Sequence, residues 1–335
     1  MTLLPQELLK SKAPSTRPVI SLCEGSDPRI VAGALAANQA DLANVILVGD
    51  ANAVRAELTA QGASECEGVQ VHDPLTSELT ASFAAEYHNL RKHKGVDEAK
   101  ALATVQSPAV YAAMLVRLGH ATGTLGGAVL TTGEIVRSAI QVIGVDKNAA
   151  MVSSFFLMYP PESATEGARA MLYSDCGLVI DPSAQELSEI AKASAKSCKA
   201  LLETAPKIAF LSFSTMGSAR HAAVSKVSEG LALFKEAVPD LEADGELQFD
   251  AAFVPSVGER KAPESAVAGH ANVMIFPNLD AGNIGYKITQ RLGGYMAIGP
   301  VMQGLAKPAN DLSRGCSAED VTQMIAVTAL QALDS

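Results

Sequence analysis

The chain has 335 residues, 48% of them hydrophobic, with a formal net charge of −10 and no tryptophan. That length corresponds to about two domains at roughly 150 residues each, with enough apolar residues for a large core. The acidic balance argues against nucleic acid or an anionic membrane as the main partner, so an anionic substrate has to be met by locally placed arginines. No apolar run reaches the ~18 residues needed to span a bilayer, and no signal-peptide pattern opens the chain. The five cysteines, Cys23, Cys66, Cys176, Cys198 and Cys316, form no C-x-x-C pair or zinc spacing. An odd, scattered set fits a reducing cytoplasm, and the expectation is a soluble cytoplasmic protein.

Short apolar runs alternate with longer helical patterns, which predicts an α/β chain. Strands are expected at Val19 to Cys23, Val45 to Val48 and Val69 to Val71, and a helix at Pro28 to Asn38 opened by its proline. Thr131 and Glu134 have capping-box spacing, which puts Arg137 in the second turn of a helix. Met151 to Met158 reads as a buried strand. After Pro160-Pro161 a second series begins, with Leu178 to Ile180 strand-like and Ser183 with Glu186 capping a helix to about Leu202. Lys207 to Phe213 reads as a strand, Ser218 to Val238 as a helix and Val273 to Phe276 as a strand. Gly293-Gly294 to Gly299-Pro300 reads as a crossover, and Ser317 opens the last helix. Gly119, Gly123, Gly126 and Gly127 match neither nucleotide-binding spacing and read as turn and close-packing glycines. Asn283-Ile284-Gly285 reads as a loop-to-helix connection.

Lys307 to Asp320 carries the densest chemistry. It holds a hydroxyl (Ser313), a guanidinium (Arg314) and a carboxylate (Asp320) around a glycine, just ahead of an apolar-periodic helix. Exchange on an activated acyl phosphate needs such a set: a proton acceptor, a group to orient the nucleophile and a cation for the phosphate. On spacing alone, Ser317-x-x-Asp320 is close to a capping box, and Asp320 would then only hold a helix N-terminus. Ser313 lacks a G-x-S-x-G elbow and an assignable histidine, so it reads as a loop serine and not as a nucleophile. Arg314 presents paired donors that match phosphate oxygens, and the helix start beyond it favours an anion too. Cys316 could be an activated thiol only with a depressed pKa; the plainer reading is a small packing residue. Arg91 stands in a basic run, Arg91-Lys92-His93-Lys94, suited to a helix C-terminus. Arg137 has apolar neighbours in sequence, among which an unpaired buried charge would be costly.

Read together, these motifs resemble the phosphate acetyl/butyryltransferase family in its short form. Lys307 to Asp320 is similar to its C-terminal signature, and Glu24-Gly25-Ser26-Asp27-Pro28-Arg29 to its opening turn. Leu90 to Gly95, Thr131-Thr132 with Arg137, Val152 to Phe156, Gly245 to Ala251 and Gly282 to Lys287 follow in the family's order. The resemblance implies reversible transfer of an acetyl group between CoA and phosphate by direct attack of the CoA thiol on acetyl phosphate. Asp320 would accept the thiol proton, Ser313 would orient the thiol or stabilise the transition state, and Arg314 would hold the phosphate. Arg91 and Arg137 would bind the phosphates of CoA, and Arg291 matches a further family arginine. It also implies two α/β domains resembling the isocitrate and isopropylmalate dehydrogenase fold, with the active site in the interdomain cleft. The first would comprise 1–150 plus 298–335 and the second 151–297, the latter carrying a homodimer contact. No metal and no cofactor beyond CoA itself, a substrate, are expected. Gly133-Glu134 stands where the family more often has Ala-Asp, which bears on the shape of the acyl or pantetheine pocket. Two alternatives share these features: an enzyme preferring butyryl or propionyl groups, and a non-catalytic acyl-CoA-sensing module. The intact Ser313, Arg314 and Asp320 favour catalysis.

Overall fold

The computed structural model describes residues 2–164 and 167–333. In chain order its strands are β1 (Val19–Leu22), β2 (Asn44–Val48), β3 (Val69–His72), β4 (Gly123–Gly126), β5 (Ser153–Tyr159), β6 (Met171–Ser174), β7 (Lys207–Leu211), β8 (Glu242–Leu247), β9 (Val273–Ile275), β10 (Met296–Gln303) and β11 (Ala309–Asp311). The chain divides into two compact units: Leu3–Lys147 with the segment from Leu305 onward, and Asn148–Gly304. No helix among the described residues is long and apolar enough to cross a membrane.

The first unit holds a five-stranded sheet in the order β11-β4-β1-β2-β3, parallel throughout. Parallel strands are covered by helices on both faces, which explains the unbroken apolar run Val45-Ile46-Leu47-Val48, buried to the last residue. The Pro28–Gln39 helix starts where proline predicts, with Asp27 accepting from the Arg29 amide at 2.9 Å as its cap. It packs on the C-terminal helix Ala318–Leu333. Gly33 permits that approach: a Cβ there would stand 2.5 Å from Val321 Cβ and 2.7 Å from the Ala318 carbonyl.

The chain runs β1, β2, β3 to one side and then returns to lay β4 on the other side of β1. Strand order therefore reverses between β1 and β4. The carboxyl ends at such a switch point diverge and leave a crevice, where parallel sheets bind ligands.

The second unit holds a six-stranded sheet, β10-β5-β6-β9-β7-β8, in which β5 runs antiparallel to both neighbours and the other pairs are parallel. β5 is buried along its whole length, as its apolar run predicts. Ser183 and Glu186 form the expected capping box of the Ala184–Leu202 helix. Four local expectations need correction. Leu178 to Ile180 is a bend, not a strand, because the Asp175 carboxylate draws in the Gly177 and Leu178 amides at 2.8 and 2.9 Å and takes them from any ladder. The helix expected from Ser218 begins only at Ala222, after the left-handed turn Met216-Gly217 that Glu246 closes from the Gly217 amide. Gly293 to Pro300, read as a crossover, contains the first half of β10, which pairs with β5. Asn283-Ile284-Gly285 lies inside the helix Leu279–Arg291, whose cap is Asn278.

Candidate active site

Three loops leave the carboxyl ends of β1, β4 and β11, neighbours in the sheet of the first unit. After β1 comes Glu24, whose carboxylate accepts from four consecutive amides of the loop after β4. Gly127 and Ala128 donate to Oε2 at 3.0 and 2.7 Å, Val129 and Leu130 to Oε1 at 2.9 and 2.6 Å. Successive N–H groups pointing into one concavity make an anion nest. Here the chain fills it with its own carboxylate, so the loop is fixed in shape before any ligand arrives.

Arg29 binds the three loops together. Its Nε and Nη2 meet the two oxygens of Asp27 at 3.0 and 2.8 Å, the paired geometry suited to guanidinium and carboxylate. Nη2 also donates to the Ala128 carbonyl at 2.9 Å, and Nη1 to the carbonyls of Arg314 and Cys316 at 2.7 and 3.4 Å. The bonds from Arg29 hold the Asp27 carboxyl below its usual range. Sequence reasoning placed Glu24, Asp27 and Arg29 only in a family-like opening turn; two acids and an arginine within six residues were the available signal.

Beyond β11, Ser313, Arg314 and Gly315 are exposed while Cys316 turns inward. The turn is closed by the Cys316 amide donating to the Ser313 carbonyl at 2.9 Å, and the Gly315 amide reaches Ser313 Oγ at 3.3 Å. Burial raises the Cys316 thiol pKa, with Arg29 opposing it, so the depressed value a thiol nucleophile needs is missing. Asp320 does form the capping box read from its spacing. Its Oδ2 accepts from the Ser317 amide and hydroxyl at 2.8 and 2.9 Å, and the Asp320 amide donates to Ser317 Oγ at 3.2 Å. Ser313 and Arg314, exposed, and Asp320, half-buried, thus share one turn and helix start.

The three other arginines are more dispersed. Thr131 and Glu134 form the expected capping box of the Thr132–Val142 helix, which places Arg137 in its second turn. Arg137 is exposed, however, and not enclosed by its apolar neighbours; Ile135, Val136 and Ala139 turn inward on the opposite face of the helix. Arg91 ends the helix Thr80–Arg91, half-buried, with its Nε enclosed and without a hydrogen-bond partner. Arg291 is exposed in the last turn of Leu279–Arg291, in the second unit.

Asp311, the last residue of β11, lies within the Lys307 to Asp320 stretch, whose sequence assigns it no role. It is 1% exposed. Its Oδ2 accepts from Thr132 Oγ1 at 2.6 Å, and its Oδ1 is buried without a partner. Burial pushes its pKa up to about 7; the Thr132 bond opposes this, and the charge of Glu24 adds to it. Gly127 makes room for it: at φ +111° it carries no Cβ, and one built there would lie 2.2 Å from Asp311 Oδ1. An alternating apolar pattern gives no hint that a strand so short will end in an enclosed carboxyl.

An arginine and a serine exposed beside a helix N-terminus can hold an anion and a nucleophile together, with a carboxylate one helical turn away. Comparison with known proteins points the same way. Residues 4–329 match the family model described as "Phosphate acetyl/butaryl transferase". A phosphate acetyltransferase of Paracoccus denitrificans is 46% identical over 312 residues, covering 93% of this chain and 94% of that one. One from Acetivibrio thermocellus is 43% identical over 326 residues, covering 97% of each. The crystal structure of a phosphotransacetylase from Streptococcus pyogenes superposes with a TM-score of 0.90 at 40% identity, covering 99% of this chain and 98% of that one. With this match along nearly its whole length, the chain belongs to the phosphate acetyl/butaryl transferase family of acyltransferases.

Proposed function

We propose that this protein interconverts acetyl-CoA plus phosphate with acetyl phosphate plus CoA. The observation that supports it most is the exposed Ser313-Arg314 pair at the capped start of the Ala318–Leu333 helix, within a chain similar to phosphate acetyltransferases throughout. In this reading CoA and acetyl phosphate are bound together. Asp320 takes the thiol proton, the thiolate attacks the acetyl carbonyl, and phosphate departs toward Arg314. Ser313 donates a hydrogen bond to the thiol sulfur or to the oxygen that gains charge. Proximity and charge stabilisation carry most of the acceleration. Capping and base roles are compatible, because both cap bonds to Asp320 fall on Oδ2.

Arg91 and Arg137 are assigned to the phosphates of CoA, and Arg291 is kept as a further candidate. Arg91, with its enclosed Nε unpaired, has unused donor capacity. CoA is a substrate, and the reading assigns no other cofactor. The isocitrate/isopropylmalate dehydrogenase-like arrangement, with the reaction in an interdomain cleft, belongs to the same proposal and rests on the resemblance, as does a cytoplasmic location. So does a homodimer formed through the second domain. Supporting it, Ile284 and Ile288 on the Leu279–Arg291 helix and Leu292, the residue capping its end, lie four residues apart and are 58, 53 and 86% exposed, an apolar stripe suited to a partner. Sedimentation giving a monomer at micromolar concentration would contradict the dimer.

The test of function is phosphate-dependent release of CoA from acetyl-CoA, without added metal. Turnover supports the proposal. Binding of acetyl-CoA with no turnover would point to a sensing module, and a panel of acetyl, propionyl and butyryl substrates fixes the acyl preference.

A further inference from the structure

Asp311 is the one carboxylate of the three-loop region whose environment the proposed mechanism leaves unexplained. Its Oδ2 is engaged by Thr132, its Oδ1 is enclosed with no donor, and two residues later the chain emerges as Ser313 and Arg314. A buried polar atom without a partner is destabilising and is kept only where something else requires it. Packing alone does not require a carboxylate here, since an amide has nearly the same shape and could accept the Thr132 bond.

We propose that Asp311 is a positioning residue for phosphate use: with Thr132 it ties the strand leading to Ser313 and Arg314 to the helix carrying Arg137, and its negative charge competes with the transferred phosphate for Arg314. This rests on the assignment of Arg314 to the phosphate. Neutral Asp311 leaves the guanidinium to the ligand, whereas ionised Asp311 offers a second negative charge three residues away along the same turn.

The charges that bear on Asp311 come from few elements. Glu24 opposes its ionisation and Arg314 favours it, while buried Cys23, at the end of β1, in turn feels its charge. β4 contributes no titratable group. The Thr132–Val142 helix carries Glu134 and Arg137, both exposed, and the Ala318–Leu333 helix has Glu319 and Asp320 in its first turn. With burial dominant, the group changes charge near neutral pH.

The experiment measures KM for acetyl phosphate and for CoA from about pH 6 to about pH 8.5 in the parent, Asp311→Asn, Thr132→Val and Thr132→Ser. The parent is expected to show a several-fold rise in KM for acetyl phosphate across neutral pH, superimposed on the substrates' own titration. Asp311→Asn should lose that rise, with KM for CoA moving alike in both proteins. Thr132→Val, which removes a bond that stabilises the ionised form, should move the midpoint upward, and Thr132→Ser should restore it. A merely structural residue would lower activity at every pH and leave the midpoint in place. Identical profiles for the parent and Asp311→Asn would overturn the inference. Should Asp311→Asn fail to fold, an unmoved midpoint in Thr132→Val would overturn it equally. Arg314→Ala separates the two levels: if KM for acetyl phosphate does not change in that variant, the assignment of Arg314 fails. If KM changes there while the Asp311→Asn profile still matches the parent, only the present inference fails.

Discussion

Each unit ends a sheet strand in a buried aspartate, and the two are treated differently. Asp175 follows β6 in the second unit and is 2% exposed; Asp311 ends β11 in the first and is 1% exposed. Asp175 accepts from the Ser154 amide and hydroxyl at 2.6 Å each and from the Gly177 and Leu178 amides at 2.8 and 2.9 Å. Asp311 has the Thr132 hydroxyl on one oxygen and no hydrogen bond on the other, with only the adjacent Leu312 amide adding weak support to its charge. Burial raises both pKa values, but at Asp175 four donors work against it. Equal burial therefore does not mean equal purpose. A carboxylate surrounded by donors holds a bend in place, whereas one left half-satisfied beside exposed Ser313 and Arg314 is available to respond to charge.

The comparison breaks most directly at Asp175. Asp175→Ala leaves the two buried Ser154 donors without an acceptor, at ~1–3 kcal/mol each, and frees the half-buried Gly177 and Leu178 amides, so a loss on the order of 3 kcal/mol or more in denaturant unfolding is expected. A loss under ~1 kcal/mol would show that the bend after β6 does not depend on it.

Asp311→Asn should act in the opposite direction, and only in part of the pH range. The folded protein keeps the Asp311 proton up to about pH 7, whereas the unfolded chain releases it near the ordinary 3.8. Between those values the folded state binds more protons, so this group subtracts stability as pH rises toward 7, and the deficit is constant above. Removing the titration should stabilise the variant relative to the parent by about 2–3 kcal/mol more at about pH 8 than at about pH 5. A stability difference that does not change with pH would mean Asp311 titrates normally.

The arginines sharpen the contrast between binding and chemistry. Arg91→Ala and Arg137→Ala should raise KM for CoA by roughly 10-fold, the worth of one charge-assisted contact, with a smaller effect on kcat. Both should discriminate less between CoA and dephospho-CoA if either reads the 3′-phosphate. Unchanged KM in both would return them to surface roles. The smallest effect is expected for Cys316→Ala. Its thiol is buried and its pKa raised, so kcat should stay within about 2-fold and initial-rate plots should intersect as for a ternary complex. Parallel plots with an acetyl group trapped on Cys316 would indicate a covalent intermediate instead.

Much of the first unit was legible in the sequence because its signals are local. Proline at the start of Pro28–Gln39, the Thr131/Glu134 box and the unbroken apolar run of β2 each act within a few residues. The exposed turn at Ser313 and the cap at Asp320 were readable for the same reason. Most of what escaped in the site depends on contacts distant in sequence. Glu24 meets amides roughly a hundred positions away, Arg29 reaches carbonyls on two other loops, and Asp311 is enclosed only once β11 docks beside β4. Leu178 to Ile180 failed as a strand because one side chain, Asp175, claims amides that an apolar run would otherwise give to a ladder. Arg137 failed as a buried charge because apolar neighbours in sequence occupy the opposite face of a helix.

The central claim is that the turn from Ser313 to Asp320 performs the chemistry and does not merely start a helix. The most direct test is the initial rate of thioester formation from acetyl phosphate and CoA, measured side by side for the parent and Asp320→Asn. The amide keeps most of the capping capacity but cannot accept the thiol proton. The account predicts turnover in the parent and a kcat ~10²-fold or more lower in the variant, at nearly unchanged melting temperature. A folded Asp320→Asn protein turning over at close to the parent's rate would contradict it and leave Asp320 as a helix cap alone.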